Sequence, residues 1–161
     1  MELACSQCPA NANSFAASTS ILNCTCNRGY TGPDGVTCTA CIAGTYKDAN
    51  GSATCTLCAR GKYNIMMAQT TQSSCKQCPQ WASSEIGSKS LSKCICEKGY
   101  TGPDGGTCEA CNSGTYKAAN GSAPCTLCTQ GKYSNTTGQF SNNACKACPT
   151  NTDSGAGRGL L

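Results

Sequence analysis

The chain has 161 residues, of which 18 are cysteine, with 12% charged residues, a net charge of +4 and no histidine. Cysteine at that density marks a disulfide scaffold, and the missing histidine removes the commonest general base and metal ligand. Ile, Leu, Val and Phe together number only 15, too few for the core a chain of this length would bury, so cross-links are expected to hold the fold.

Residues 1–4 read as the end of a preceding repeat. Cysteines then fall at 5, 8, 24, 26, 38, 41, 55 and 58, recur at 75, 78, 94, 96, 108, 111, 125 and 128, and begin again at 145 and 148. The displacement is 70 residues throughout, and 24–64 matches 94–134 at 29 of 41 positions. A fixed period of this kind signals stacked units. The expected organisation is a cysteine-rich repeat at 5–74, a second at 75–144, and the truncated start of a third at 145–161. The opening Met1-Glu2-Leu3-Ala4 carries neither the basic nor the apolar region of a signal peptide, so the chain is expected to be a segment of a longer secreted protein.

Along each unit, the cysteine-free stretches 9–23 and 79–93 read as irregular or at most a short ladder. Thr31-Gly32-Pro33-Asp34-Gly35 and its copy at 101–105 are strong turns, because proline presets φ and Asp-Gly supplies the bend. The Gly-Thr-Tyr-Lys stretches at 44–47 and 114–117 favour short strand pairs. All six tyrosines follow a Cys-x-x-Gly, directly or after one residue, where glycine permits positive φ and the ring can cover a cystine. No stretch sustains a helical period.

Two pairings satisfy every unit. In the sequential one, Cys8 joins Cys24, Cys26 joins Cys38, Cys41 joins Cys55 and Cys58 joins Cys75. The second unit repeats this as Cys78 with Cys94, Cys96 with Cys108, Cys111 with Cys125 and Cys128 with Cys145, leaving Cys5 and Cys148 open. The interlaced alternative joins Cys5 to Cys24 and Cys8 to Cys26, leaving Cys145 and Cys148 open. Each sequential loop would contribute on the order of 3 kcal/mol by restricting the unfolded chain.

Cys24-x-Cys26-x-x-Gly29-Tyr30 with Cys38 resembles the C-terminal half of an EGF-like module. Cys41-x-x-Gly44-Thr45-Tyr46 with Cys55-x-x-Cys58-x-x-Gly61-Lys62-Tyr63 resembles the ephrin-receptor-like and TNF-receptor-like cysteine-rich repeats, as does Cys78-Pro79 with Ser84 and Gly87-Ser88. The resemblance implies a small disulfide-rich fold, an elongated tandem array of short β-hairpin and loop modules with little hydrophobic core. Near-identical tandem copies are similar to those of large protist surface and flagellar-hair (mastigoneme) proteins. The acidic motif of calcium-binding EGF modules is missing, so no calcium site is carried over.

Four asparagines sit in N-glycosylation acceptor patterns: Asn23, Asn50, Asn120 and Asn135, with Asn50 and Asn120 at equivalent places. The abundant serines and threonines offer O-linked positions. Cys38-x-x-Cys41 with Cys55-x-x-Cys58 has the two-pair layout of a zinc site, but Cys24-x-Cys26 breaks it, and repeated Cys-x-x-Cys elements argue against a single tuned redox thiol. Asp34 and Asp104 are turn formers or lone calcium contacts. Ile65, Met66, Met67 and Trp81 differ between the units and either cover cystines or meet a partner.

These residues lead to the expectation of a structural, extracellular or cell-surface glycoprotein segment of a filament, coat or stalk. Its expected partners are identical or related chains and N-linked and O-linked glycans. No enzyme activity, cofactor, metal or nucleic acid is expected, the basic residues being scattered, and no apolar run is long enough to span a membrane. A ligand-binding receptor ectodomain is the alternative; there 9–23 and 79–93, or 64–74 and 134–144, would supply the singular surface.

Overall fold

The computed structural model describes residues 6–150 and 152–157; residues 1–4 and Cys5, assigned above to a preceding repeat and an open cystine, lie outside that range. The described chain is a succession of two-stranded antiparallel hairpins with strands of two residues each. In order, β1 (Ala12–Asn13) pairs with β2 (Thr25–Cys26), β3 (Tyr30–Thr31) with β4 (Thr39–Ala40), β5 (Thr45–Tyr46) with β6 (Thr56–Leu57), and β7 (Lys62–Tyr63) with β8 (Lys76–Gln77). The same series continues with β9 (Ala82–Ser83) and β10 (Ile95–Cys96), β11 (Tyr100–Thr101) and β12 (Glu109–Ala110), β13 (Thr115–Tyr116) and β14 (Thr126–Leu127), and β15 (Lys132–Tyr133) and β16 (Lys146–Ala147). All six tyrosines are strand residues and half-buried. The chain divides into two compact units, one running to Gln77 and including Glu85–Ser90, the other comprising Cys78–Ser84 and the chain from Leu91 onward.

A two-stranded hairpin alone is marginal in water, and a cystine closes each one here. The pairing is sequential: Cys8–Cys24, Cys26–Cys38, Cys41–Cys55 and Cys58–Cys75 span 16, 12, 14 and 17 residues. Cys78–Cys94, Cys96–Cys108, Cys111–Cys125 and Cys128–Cys145 repeat the same spans. The second cysteine of each pair directly precedes the second strand of its hairpin. The 70-residue period therefore contains four small modules of unequal length. The stretches 9–23 and 79–93 are ordered: each contributes one strand and then a single 3-10 turn, Ile21–Asn23 or Leu91–Lys93, that runs into the next cysteine. Matching turns at Gln72–Ser74 and Asn142–Ala144 precede Cys75 and Cys145.

The interior is sulfur. Among the described residues every buried apolar side chain is a cysteine, with Cys26, Cys58, Cys96, Cys111 and Cys128 fully enclosed, while Phe15, Ile65, Met66, Met67 and Phe140 stay exposed. The third residue after the first cysteine of each module takes a left-handed conformation. Gly29 (φ +80°), Gly44 (+81°) and Gly61 (+75°) do so readily, whereas Asn11 (+61°) and Trp81 (+62°) occupy the same place in the opening module of their units. That conformation costs a side-chain-bearing residue about 1–2 kcal/mol. Trp81 offsets it by stacking on Tyr100, with ring centroids 4.6 Å apart and planes within 8°, a contact worth about 0.5–1.5 kcal/mol beyond burial. Trp81 thus packs locally on a strand tyrosine.

Candidate functional site

The buried polar residues form a pattern that links one hairpin to the next. Lys47, Asn64, Lys117 and Ser134 each follow the second residue of a strand (β5, β7, β13, β15), and all are almost fully buried. Each uses its backbone carbonyl to accept from the left-handed glycine of the hairpin before it. Gly29 N–H reaches Lys47 O (2.9 Å), Gly44 N–H Asn64 O (2.8 Å), Gly99 N–H Lys117 O (3.0 Å) and Gly114 N–H Ser134 O (2.8 Å). The glycine's own carbonyl accepts from a cysteine amide, as in Cys41 N–H to Gly29 O and Cys58 N–H to Gly44 O (both 2.8 Å). A Cβ on Gly29 would run into the Ala68 carbonyl, and one on Gly44 into that of Gly87, so the close approach as well as the positive φ requires glycine.

Side chains add a second tie. Asn64 Nδ2 donates to Thr45 O (3.1 Å). Lys47 Nζ donates to Tyr30 O (2.7 Å) and also to Gly51 O, and Lys117 Nζ donates in the same way to Tyr100 O (2.7 Å) and Gly121 O. Lysine's four-carbon stem lets one ammonium bridge the first strand of the preceding hairpin and the loop of its own.

Around each lysine the loop is fastened by three more bonds. Arg28 N–H donates to Asn50 Oδ1 (3.0 Å), Gly51 N–H to Cys26 O (2.8 Å), and Thr31 Oγ1 to Ala53 O (3.0 Å). In the second unit the bonds are Lys98 N–H to Asn120 Oδ1 (3.1 Å), Gly121 N–H to Cys96 O (2.8 Å) and Thr101 Oγ1 to Ala123 O (3.0 Å). This latch joins the second and third hairpins of each unit. It explains why Gly-Tyr-Thr, Gly-Thr-Tyr-Lys and Ala-Asn-Gly-Ser-Ala recur unchanged.

Burial holds the Lys47 ammonium below lysine's usual pKa, and the Asp34 carboxylate pulls part of the way back; Lys117 and Asp104 repeat the relation. Asp34 Oδ1 is buried and accepts no hydrogen bond from any described residue. The Pro-Asp-Gly turn is held by Gly35 N–H to Cys24 O (2.8 Å) and Gly105 N–H to Cys94 O (2.7 Å).

The remaining sequence candidates fall as follows. Cys38, Cys41, Cys55 and Cys58, the zinc-like set, lie in three different cystines. Among the described residues no three metal-ligating side chains of His, Cys, Asp or Glu gather. Cys148 is the free cysteine of the described range, half-buried with Sγ 3.3 Å from Ser154 Oγ. Asn50, Asn120 and Asn135 are exposed. Asn23 is exposed too, but its Oδ1 accepts from Ser20 N–H (3.1 Å) and caps the 3-10 turn. Ile65, Met66 and Met67 lie on the surface, about 60% exposed. The lysines were missed because a lysine after a strand tyrosine reads as a solvated charge. The available signal was a polar residue after Thr-Tyr or Lys-Tyr in successive modules.

Among the described residues, eight cystines on hairpins without an apolar core define a disulfide-stapled cysteine-rich repeat of the kind found in oxidising, extracellular settings. Residues 29–68 match the family model described as tyrosine-protein kinase ephrin type A/B receptor-like. That stretch runs from the left-handed Gly29 to Ala68 and contains Lys47, Asn50, Gly51 and Ala53 of the first latch. No curated protein matches the chain. Among the described residues no helix is long and apolar enough to cross a membrane.

Proposed function

We propose that the chain is a non-enzymatic, tension-bearing segment of an extracellular filament, coat or stalk, built to keep its length under load. The carrying observation is the sequential pairing. Because each cystine closes one loop and the next begins two or three residues later, a pull from Cys8 to Cys145 travels through disulfides and short linkers. The loops are bypassed. With cystine Cα–Cα distances of 5.6–5.8 Å, that path can reach about 110 Å, against about 480 Å for the same stretch reduced and fully extended. Assembly with identical or related chains, as in protist surface coats or flagellar hairs (mastigonemes), would use patches that recur with the repeat. The EGF-like and TNF-receptor-like likenesses agree with such a spacer.

Single-molecule stretching between handles at the two ends tests this. The oxidised chain should show no extension steps beyond the short path, and the reduced chain should lengthen about fourfold. Long steps in the oxidised chain would reject the proposal. A ligand-binding ectodomain is the second reading, favoured by the exposed Ile65-Met66-Met67 segment where the other unit has Asn135-Thr136-Thr137. Alanine at 65–67 would then abolish binding, while changes at 135–137 would not.

A further inference from the structure

The Asn50-Gly51-Ser52 and Asn120-Gly121-Ser122 sequons lie inside the latch, and only one end of each asparagine amide is used. Oδ1 accepts the Arg28 or Lys98 amide, while Nδ2 bonds to no described residue and the side chain is exposed. Beside it the chain is open: a Cβ built on Gly51 or Gly121 meets no atom within 4 Å outside its two chain neighbours. Ser52 is exposed as well. We propose that Asn50 and Asn120 are N-glycan acceptors whose carbonyl oxygen remains bonded to the preceding hairpin, so each unit holds a sugar chain at one fixed root.

In the transfer, Nδ2 attacks the anomeric carbon of an oligosaccharide carried on a polyprenyl diphosphate. The C–N bond forms, the anomeric C–O bond to phosphate breaks, and the diphosphate leaves with its electron pair. The amide proton passes to a base of the transferase. The product amide keeps its carbonyl, and with it the bond from Arg28 or Lys98.

The other two sequons divide by the same geometry. Asn135 is exposed two residues after β15 without a bond to its side chain, and is a third acceptor. Its counterpart in the first unit is the apolar Ile65, so the second unit carries two glycans and the first carries one. Asn23 is not an acceptor, because the rest of its sequon is closed: the intervening Cys24 is buried in a cystine, and the Thr25 hydroxyl donates to Asn13 O (3.5 Å) in the hairpin.

The inference rests on the extracellular reading, and one experiment separates the two. The full chain is secreted from eukaryotic cells, treated with a peptide-N-glycosidase in heavy-oxygen water, and mapped by peptide mass with its cystines assigned. The expected result is enzyme-dependent labelled aspartate at positions 50, 120 and 135, above the spontaneous Asn-Gly deamidation seen in a digest without the glycosidase, and unlabelled Asn23. Ser52→Ala should remove the label at position 50 alone and leave Arg28 amide exchange unchanged, whereas Asn50→Leu should remove both the label and the protection. Unlabelled Asn50 and Asn120 in a secreted chain with its eight cystines would overturn the acceptor proposal and leave the extracellular reading standing. A label at Asn23 would overturn its exclusion. A chain retained in the cell with free thiols would reject the extracellular reading itself.

Discussion

Lys47→Met tests whether the latch joins hairpins or merely decorates a fold made by cystines. Methionine keeps most of the stem and removes the ammonium, so Tyr30 O and Gly51 O lose their charged donor. A hydrogen bond to a charged group contributes about 1.5–3 kcal/mol, and the two part-buried carbonyls left without their donor add to the loss. Relief of the ammonium's own burial returns part of this, leaving a net loss of about 3 kcal/mol. The cystines prevent global unravelling, so the loss should appear as local opening. An energy of that size is about 100-fold in an opening equilibrium. The readouts are the amides of Arg28, Gly29 and Gly51, bonded to Asn50 Oδ1, Lys47 O and Cys26 O. Native-state hydrogen exchange should accelerate about 100-fold at these three, while Lys98, Gly99 and Gly121 in the other unit stay unchanged. Acceleration below tenfold, or equal acceleration in both units, would refute the latch.

The same lysine gives a pH signature. Because burial lowers its folded-state pKa below the ordinary 10.5, the unfolded chain binds more protons as pH approaches 10.5, and stability rises with pH across that window. Denaturant titrations with Cys148 alkylated should show this slope, Lys47→Met should reduce it, and a falling slope would contradict the assignment. Gly44→Ala places a Cβ at φ +81° against the Gly87 carbonyl and should cost at least about 2 kcal/mol, read as faster exchange of the Cys58 amide. Trp81→Asn installs the residue of the equivalent position in the first unit. It should trade the Tyr100 stack against relief of backbone strain, shifting stability by less than about 1 kcal/mol while removing the tryptophan band from the near-ultraviolet dichroism. A loss above about 3 kcal/mol would mean the ring does more than cover Tyr100.

Cysteine spacing made the disulfide-rich class and the hairpin content legible, because so few other residues could fill a core. It did not separate the sequential from the interlaced pairing, since both satisfy a repeat of 70. The division of each unit into four modules was harder to read. Module spans vary, and the left-handed position is filled by glycine in most modules but by Asn11 and Trp81 in the opening ones. A residue-type pattern built on Cys-x-x-Gly therefore passes over the 9–23 and 79–93 stretches, whose first strands pair like the others. The latch was illegible for a different reason. Lys47 and Asn50 act through backbone carbonyls and amides brought together by the hairpin register, and no local pattern records which carbonyl lies above a side chain.

An interior of sulfur and polar hooks divides the mechanical work. Cystines fix contour length, since each bypasses its own loop, but the two- or three-residue steps between cystines leave the angle between successive hairpins free. Apolar packing does not set that angle, because the large apolar side chains lie mostly outside. The hooks do: Lys47, Asn64, Lys117 and Ser134 each tie a strand to the hairpin before it through the amide of a glycine, and at Gly29, Gly44 and Gly99 a Cβ would run into a backbone carbonyl. The strongest hook, with two carbonyls and a fixed asparagine beside it, joins the second and third hairpins, where the preceding cystine loop is shortest at 12 residues. A short loop offers the least surface for packing, so hydrogen bonds must supply the rigidity there. Losing a hook should therefore give a chain of unchanged maximum length that bends more easily, a separation of stiffness from extensibility that an apolar core, holding both at once, could not show.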